Sequence, residues 1–164
     1  MNLLQLTHFE IDARVAKARA QKPDWPCAKG CAECCRSLAD VPQLTAAEWD
    51  LLKSGLGKLP AATLLTIGKK MDAVDPQTSA PVTCPLLDTD TGACPVYAER
   101  PVACRTYGFY VQRDLDLYCD EIEAGVAAGN FDKVVWGNHD AIDRQLTGIG
   151  EKRPLTEWFA GWNR

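Results

Sequence analysis

The chain has 164 residues, 46% of them hydrophobic and 24% charged, a composition that suits one globular domain with a modest core. Its net charge of −4 disfavours nucleic-acid and anionic-membrane partners, which are bound through clustered Lys and Arg. No apolar run approaches the roughly 20 residues of a membrane span.

The first 21 residues lack a basic segment followed by an uninterrupted apolar one, because Thr7, His8 and Glu10 break the run. No signal peptide is expected, and the expected location is the cytoplasm. Residues 3 to about 20 are predicted helical, with Leu3, Leu6, Phe9 and Val15 as the apolar positions. His8 falls on this helix as a surface or interface residue. Pro23 and Pro26 end the helix.

The first cysteine group follows: Cys27, Cys31, Cys34 and Cys35. On a continuous helix, at about 100° per residue, all four thiols would share one stripe. Pro26 suits a first helical position, but Gly30 weakens the helix, and a loop leading into a helix at Cys31 is equally compatible. Cys27 and Cys35 would lie roughly 12 Å apart along such a helix, too far for one ion with metal–sulfur bonds of about 2.3 Å. The adjacent Cys34 and Cys35 are expected to serve different ions, or to act as one ligand and one neighbouring thiol.

A second helix is predicted from Thr45, where Thr45 and Glu48 have the spacing of a capping box and Trp49, Leu51 and Leu52 supply apolar contacts. Gly55 and Gly57 stop it. A third helix is predicted from Pro60 to Val74, with Leu64, Leu65, Ile67 and Met71 apolar. Residues 75–95 read as loop. Within it, Asp88 to Gly92 form a turn between two short segments that carry Cys84 and Cys94. The carboxylate spacing of a calcium loop is missing there. From about Ile122 the chain is predicted helical again, interrupted at Gly129-Asn130 and at Gly148 to Gly150. Trp136, Trp158 and Trp162 are expected to pack this part onto the rest. The fold class expected is mostly α: a single small helical domain over residues 1–164, with short irregular or hairpin segments organised around a cysteine metal site in residues 27–119.

Eight cysteines are unusual for an intracellular chain of this length: Cys27, Cys31, Cys34, Cys35, Cys84, Cys94, Cys104 and Cys119. Disulfides are rare in reducing compartments and unnecessary at this size, so thiolate metal ligation is the preferred reading of all eight. Eight thiolates fill two four-coordinate zinc sites, or one four-iron cluster with four to spare. On ligand count zinc is preferred slightly over iron or a [4Fe-4S] cluster. Lys29, Arg36, Arg100 and Arg105 can offset the thiolate charge, although Lys29 reads better as a solvated residue. Tyr97, Tyr107 and Tyr110 can shield the site. His139, with Asp140 or Asp143 to orient it, is a candidate extra ligand, though the cysteines already suffice. No Ser-His-Asp order, phosphate loop or pair of carboxylates with a defined role assigns a reaction.

The group CxxxCxxCC, followed by CPLLDTDTGACPVYAERPVACRTY, resembles the bacterial cysteine-cluster family of zinc- or iron-chelating domains (YkgJ-type). The resemblance rests on the four clustered cysteines, Cys84-Pro85-Leu86, Gly92, Cys94, Tyr97, Arg100-Pro101, Cys104-Arg105 and Tyr107, and spans residues 27 to about 119. It implies metal binding through these cysteines, in a structural or metal-handling role. The same segment is similar to that of flagellin lysine methylases, which are associated with an iron–sulfur cluster. That similarity implies the alternative of an iron–sulfur-dependent enzyme, methyltransferase-like or redox. Cys27, Cys31 and Cys34 also match the CxxxCxxC spacing of radical S-adenosylmethionine enzymes, whose large partial barrel has little room in 164 residues.

Overall fold

The computed structural model describes residues 1–77, 79 and 81–162. Among them eight α-helices, one 3-10 turn and five short strands are separated by irregular stretches, in keeping with a mostly helical chain. Positions 78 and 80 of the expected 75–95 loop lie outside the described residues. The chain divides into two compact units, residues 1–28 with 102–148 and residues 29–101 with 149–164.

The first unit is built on α1 (Leu3–Gln21), which starts as the spacing predicts. Asn2 caps it: its side chain accepts from the Gln5 N–H at 2.8 Å, and Gln5 Oε1 accepts from the Asn2 N–H at 2.9 Å. The buried face is not the expected one. Leu4, Thr7, His8 and Ile11 point inward, while Leu3, Leu6 and Phe9 are 39%, 40% and 66% exposed. The inward stripe has true helical spacing but runs through two polar residues. Thr7 tolerates this because its hydroxyl donates to the Leu3 carbonyl at 2.9 Å, leaving its methyl free to pack. Helix α5 (Val102–Thr106) packs on α1, and Arg105 grips both carboxylate oxygens of Asp12 at 3.0 and 2.8 Å.

A hairpin follows, with β2 (Tyr110–Gln112) antiparallel to β3 (Leu115–Leu117). The two-residue strand β4 (Gly137–Asn138) runs parallel to β2 on its other side. Gly137 has a reason to be glycine: a Cβ there would overlap the Tyr110 ring opposite it in the register. Helices α6 (Asp120–Ala127) and α7 (His139–Leu146) complete the unit. Trp25 closes its core. It stacks on Phe109 at 4.9 Å, meets Phe131 and Trp136 edge-on, and donates its indole N–H to the Gly108 carbonyl at 3.2 Å. Trp136 therefore packs this part of the chain as expected.

The second unit contains α2 (Glu33–Arg36), β1 (Gln43–Leu44), α3 (Ala46–Leu56), α4 (Ala61–Asp72), a 3-10 turn at Tyr97–Glu99, β5 (Arg153–Pro154) and α8 (Leu155–Ala160). β1 pairs with β5 antiparallel and so brings α8 to the unit, where Trp158 and Trp162 pack on Trp49. The core joins Leu44, Trp49, Leu52 and Leu56 to Ile67, Met71, Leu86, Leu87, Val96, Leu155 and Phe159, and includes Cys84.

Helices α3 and α4 occupy the predicted segments. Thr45 and Glu48 form the capping box, both almost completely buried. Glu48 Oε2 accepts from the Thr45 N–H and hydroxyl, each at 2.9 Å. Gly55 does not stop α3. The helix continues to Leu56, and Gly55 instead makes room for the Glu99 side chain, which a Cβ would meet at 2.8 Å. Because Thr45 both caps α3 and satisfies the buried Glu48, Thr45→Ala is expected to cost about 2 kcal/mol, the upper end for a lost cap. Urea unfolding followed by circular dichroism checks this; an unchanged midpoint would show that the box contributes nothing.

Candidate metal centre

The first cysteine group is not one helical stripe. Gly30 has φ of 96°, a left-handed conformation that a right-handed helix cannot include. Residues 26–32 are therefore irregular, with a turn at Lys29-Gly30, and the helix begins only at Glu33, carrying Cys34 and Cys35 on the four residues of α2. Of the two readings open in the sequence, the loop leading into a helix is correct. Cys27 belongs to the first unit, and Cys31, Cys34 and Cys35 to the second.

Backbone pairing joins the two cysteine segments of the second unit. Leu38 and Val82 form an antiparallel bridge with N···O distances of 3.0 and 2.8 Å. The Cys84 N–H donates to the Cys35 carbonyl at 2.7 Å. Beyond Cys84 the chain makes two turns of one design. Leu87 N–H closes on the Cys84 carbonyl at 3.0 Å and Tyr97 N–H on the Cys94 carbonyl at 3.2 Å, with proline second in each turn. Proline presets that turn position and has no N–H of its own. The following N–H groups face sulfur: those of Leu86 and Leu87 reach Cys84, and that of Val96 reaches Cys94. Between the turns, Asp88 and Gly92 form the expected reversal, closed by Gly92 N–H to the Asp88 carbonyl at 2.9 Å. No strands flank it among the described residues, in keeping with the loop expected over 75–95; a hairpin forms instead at β2–β3. Gly92 has φ of 68°, and a Cβ on it would stand 2.8 Å from the Gly30 carbonyl. Two glycines thus seat the 88–92 turn on the loop that precedes Cys31.

The electrostatics of this group follow from burial and proximity. Burial pushes the Cys84 thiol up to about 11, against the pull of the Leu86 and Leu87 N–H groups, and negative charge on Cys94 or Cys34 would raise it further. Cys34 is raised chiefly because its thiol is hydrogen-bonded to Cys35, then by burial. Cys94 is raised by burial, with the Val96 N–H and the Arg100 and Lys29 charges opposing. The Arg100 guanidinium carbon stands over the Tyr97 ring, 3.4 Å from its centre, and Lys29 Nζ stands 5.9 Å from the same centre. Lys29 is solvated, as expected, yet it also contributes to the potential at Cys94.

The first unit holds the other three cysteines. Cys27 lies against Gly108, where a Cβ would overlap its sulfur, and its carbonyl accepts from Arg19 at 2.8 Å. Cys104 is on α5, four residues before Gly108, and Gly108 N–H bonds to the Leu117 carbonyl at 2.6 Å, two residues before Cys119. Cys119 is the N-cap residue of α6. His8 is buried and not a surface residue. His139 is buried too. Its Nδ1 lies 3.2 Å from Asp143 Oδ2 and 3.0 Å from Gln112 Nε2, so Asp143 is its orienting carboxylate, while Asp140 instead accepts from the Arg113 N–H at 3.0 Å.

All eight cysteines are free thiols. Among the described residues, no three Cys, His, Asp or Glu side chains converge in metal-ligand geometry. The donor chemistry of the second unit nevertheless suits a thiophilic ion: Cys34, Cys35, Cys84 and Cys94 are buried or half-buried thiols, backbone N–H groups face Cys84 and Cys94, and the Arg100 and Lys29 charges act on Cys94. The sequence reading missed the backbone donors and the Cys34–Cys35 contact. The repeated Cys-Pro step was the available signal for the first; nothing local announces the second.

The family described as "CxxCxxCC: Putative zinc- or iron-chelating domain" matches residues 26–121. The chain belongs to this family, and the match covers the clustered cysteines, both Cys-Pro turns and the α5 segment. No curated protein and no solved structure matches the chain. No helix among the described residues is long and apolar enough to cross a membrane.

Gly92→Ala is expected to place an unfavourable left-handed alanine against the Gly30 carbonyl and to separate the two cysteine loops. The variant should lose at least 1 kcal/mol (about the scale of one strained residue) and retain less metal after dialysis. Gly148→Ala, at another left-handed glycine but with open space around it, is the control for backbone strain alone. Equal metal retention by the two variants would refute a role for the 30–92 contact.

Proposed function

We propose that the chain is a thiolate metal-binding protein that holds a single-metal centre in its second unit through Cys34, Cys35, Cys84 and Cys94, with zinc preferred to iron. The role proposed is structural or metal-handling. The observation that carries this reading is the 2.7 Å bond from the Cys84 N–H to the Cys35 carbonyl, which draws the core thiol of Cys84 to the adjacent Cys34 and Cys35. Thiols gathered on neighbouring backbone suit one tetrahedral ion, whose bonds of about 2.3 Å set neighbouring sulfurs roughly 3.8 Å apart. A four-iron cluster instead spreads its four thiolates over four different irons. This use of Cys34 and Cys35 on one ion replaces the division between two ions anticipated from their adjacency. Cys27, Cys31, Cys104 and Cys119 remain candidate ligands for further metal.

When bound, the ion would supply positive charge to Cys84 and Cys94, whose thiols burial otherwise keeps protonated. The Leu86, Leu87 and Val96 N–H groups and the Arg100 and Lys29 charges would stabilise the same charged form. Because Cys84 lies within the apolar core, occupancy and folding should be coupled.

Elemental analysis of anaerobically purified protein is expected to find zinc and a colourless solution. Cys84→Ser should lower the metal content by one equivalent. A brown protein with a broad visible absorption would overturn the zinc reading in favour of an iron–sulfur cluster, since d¹⁰ zinc does not absorb there. Metal content unchanged in both Cys84→Ser and Cys34→Ser would overturn the ligand assignment. Removal of metal with a strong chelator is expected to lower the melting temperature by at least 10 °C, since structural zinc sites carry apparent binding energies of about 10–16 kcal/mol. An unchanged melting temperature would identify the ion as cargo and not as part of the scaffold.

A further inference from the structure

In the first unit, the β2–β3 turn and α7 border an open cleft of about 700 Å³. That volume is within the range of small-molecule sites. Its charged wall consists of Arg113 on the turn and Asp140 and Arg144 on α7; Val111 and the Trp136 indole supply apolar surface, and Asn138 an amide.

The charges in this cleft are not spent on one another. Asp140 and Arg144 are four residues apart on one helix, the spacing at which an Asp–Arg pair normally closes. No such ion pair forms, and neither Arg113 nor Arg144 has a carboxylate partner among the described residues. Other arginines of the chain are committed: Arg105 to Asp12, Arg153 to Glu157, Arg19 to the Cys27 carbonyl. Asp140 is held in place by the Arg113 backbone N–H at 3.0 Å, which occupies Oδ2 and leaves the other oxygen available. Gln112, next to Arg113, is fixed by Asp143 at 3.1 Å and His139 at 3.0 Å, so the turn has a buried anchor behind it.

From this arrangement we infer that the cleft is a binding site for a small zwitterion of the amino-acid class, its carboxylate between Arg113 and Arg144, its ammonium on Asp140, and an apolar side chain against Val111 and Trp136. A simple anion would be attracted by the two guanidinium groups but repelled by Asp140. A simple cation would meet the reverse. Only a ligand carrying both signs uses every charge in the wall. The guanidinium fork suits a carboxylate because it can donate two parallel N–H bonds.

Isothermal titration of the full chain with four probes tests the assignment: L-leucine, L-leucinamide, N-acetyl-L-leucine and inorganic phosphate. Saturable binding of L-leucine is expected, at least tenfold tighter than that of either derivative lacking one charge and of phosphate. Arg144→Gln and Asp140→Asn should each weaken leucine at least tenfold while leaving metal content and melting temperature unchanged; Arg144 is solvent-exposed, so its substitution is not expected to impair folding. Absence of leucine binding overturns the inference. So does equal binding of N-acetyl-L-leucine or phosphate, which would make the cleft an anion site, and so does wild-type affinity in both variants.

Discussion

A thiol buried among leucines can become a thiolate only if something other than water faces its sulfur. At Cys84 that something is the backbone. Cys84 belongs to the same apolar cluster as Leu52, Leu56, Leu87 and Phe159, and the N–H groups of Leu86 and Leu87 point at it from its own turn. The two influences oppose each other and burial is the stronger, since the thiol is pushed up to about 11. Peptide dipoles reduce the cost of the charged form but do not overcome it at neutral pH. The same balance, less extreme, holds at Cys94, where Arg100 and Lys29 add full charges to the Val96 N–H. What these groups lack is a concentrated positive charge at the sulfurs themselves, which is what a metal ion provides.

That constraint explains why the second unit is organised around turns and not around regular structure. A strand through residues 84–94 would turn its N–H groups toward a neighbouring strand; the Cys-Pro turns turn them toward sulfur instead. The cost is a segment with little secondary structure to hold it. The Leu38–Val82 bridge, the Cys84 to Cys35 backbone bond and the Gly92–Gly30 contact stand in for a sheet. Each joins backbone of the 30–38 segment to backbone of the 82–92 segment, so these two cysteine segments are held together by backbone contacts.

These features also mark where the sequence could be read. Helices α1, α3 and α4 were legible because their ends are written locally, in prolines and in the Thr45–Glu48 box. The inward face of α1 was not, because its stripe includes Thr7 and His8, and hydrophobicity alone selects Leu3, Leu6 and Phe9. The β2–β3 hairpin has only three residues per strand and no glycine in its turn, so no short-range signal announces it. The cysteines were recognisable as a set; their partition was not. Whether Gly30 is left-handed decides between a four-thiol stripe and a loop, and a glycine in the sequence permits both.

The partition alters the argument about metal. Eight thiolates invite division into two sets of four, but the compact units hold three and five. What favours a single ion is local: two neighbouring thiols hydrogen-bonded on a helix too short to separate them, beside a buried third whose backbone donors are already aimed. A tetrahedral ion draws its thiolates together, and its charge offsets the burial cost at Cys84 and Cys94 at once.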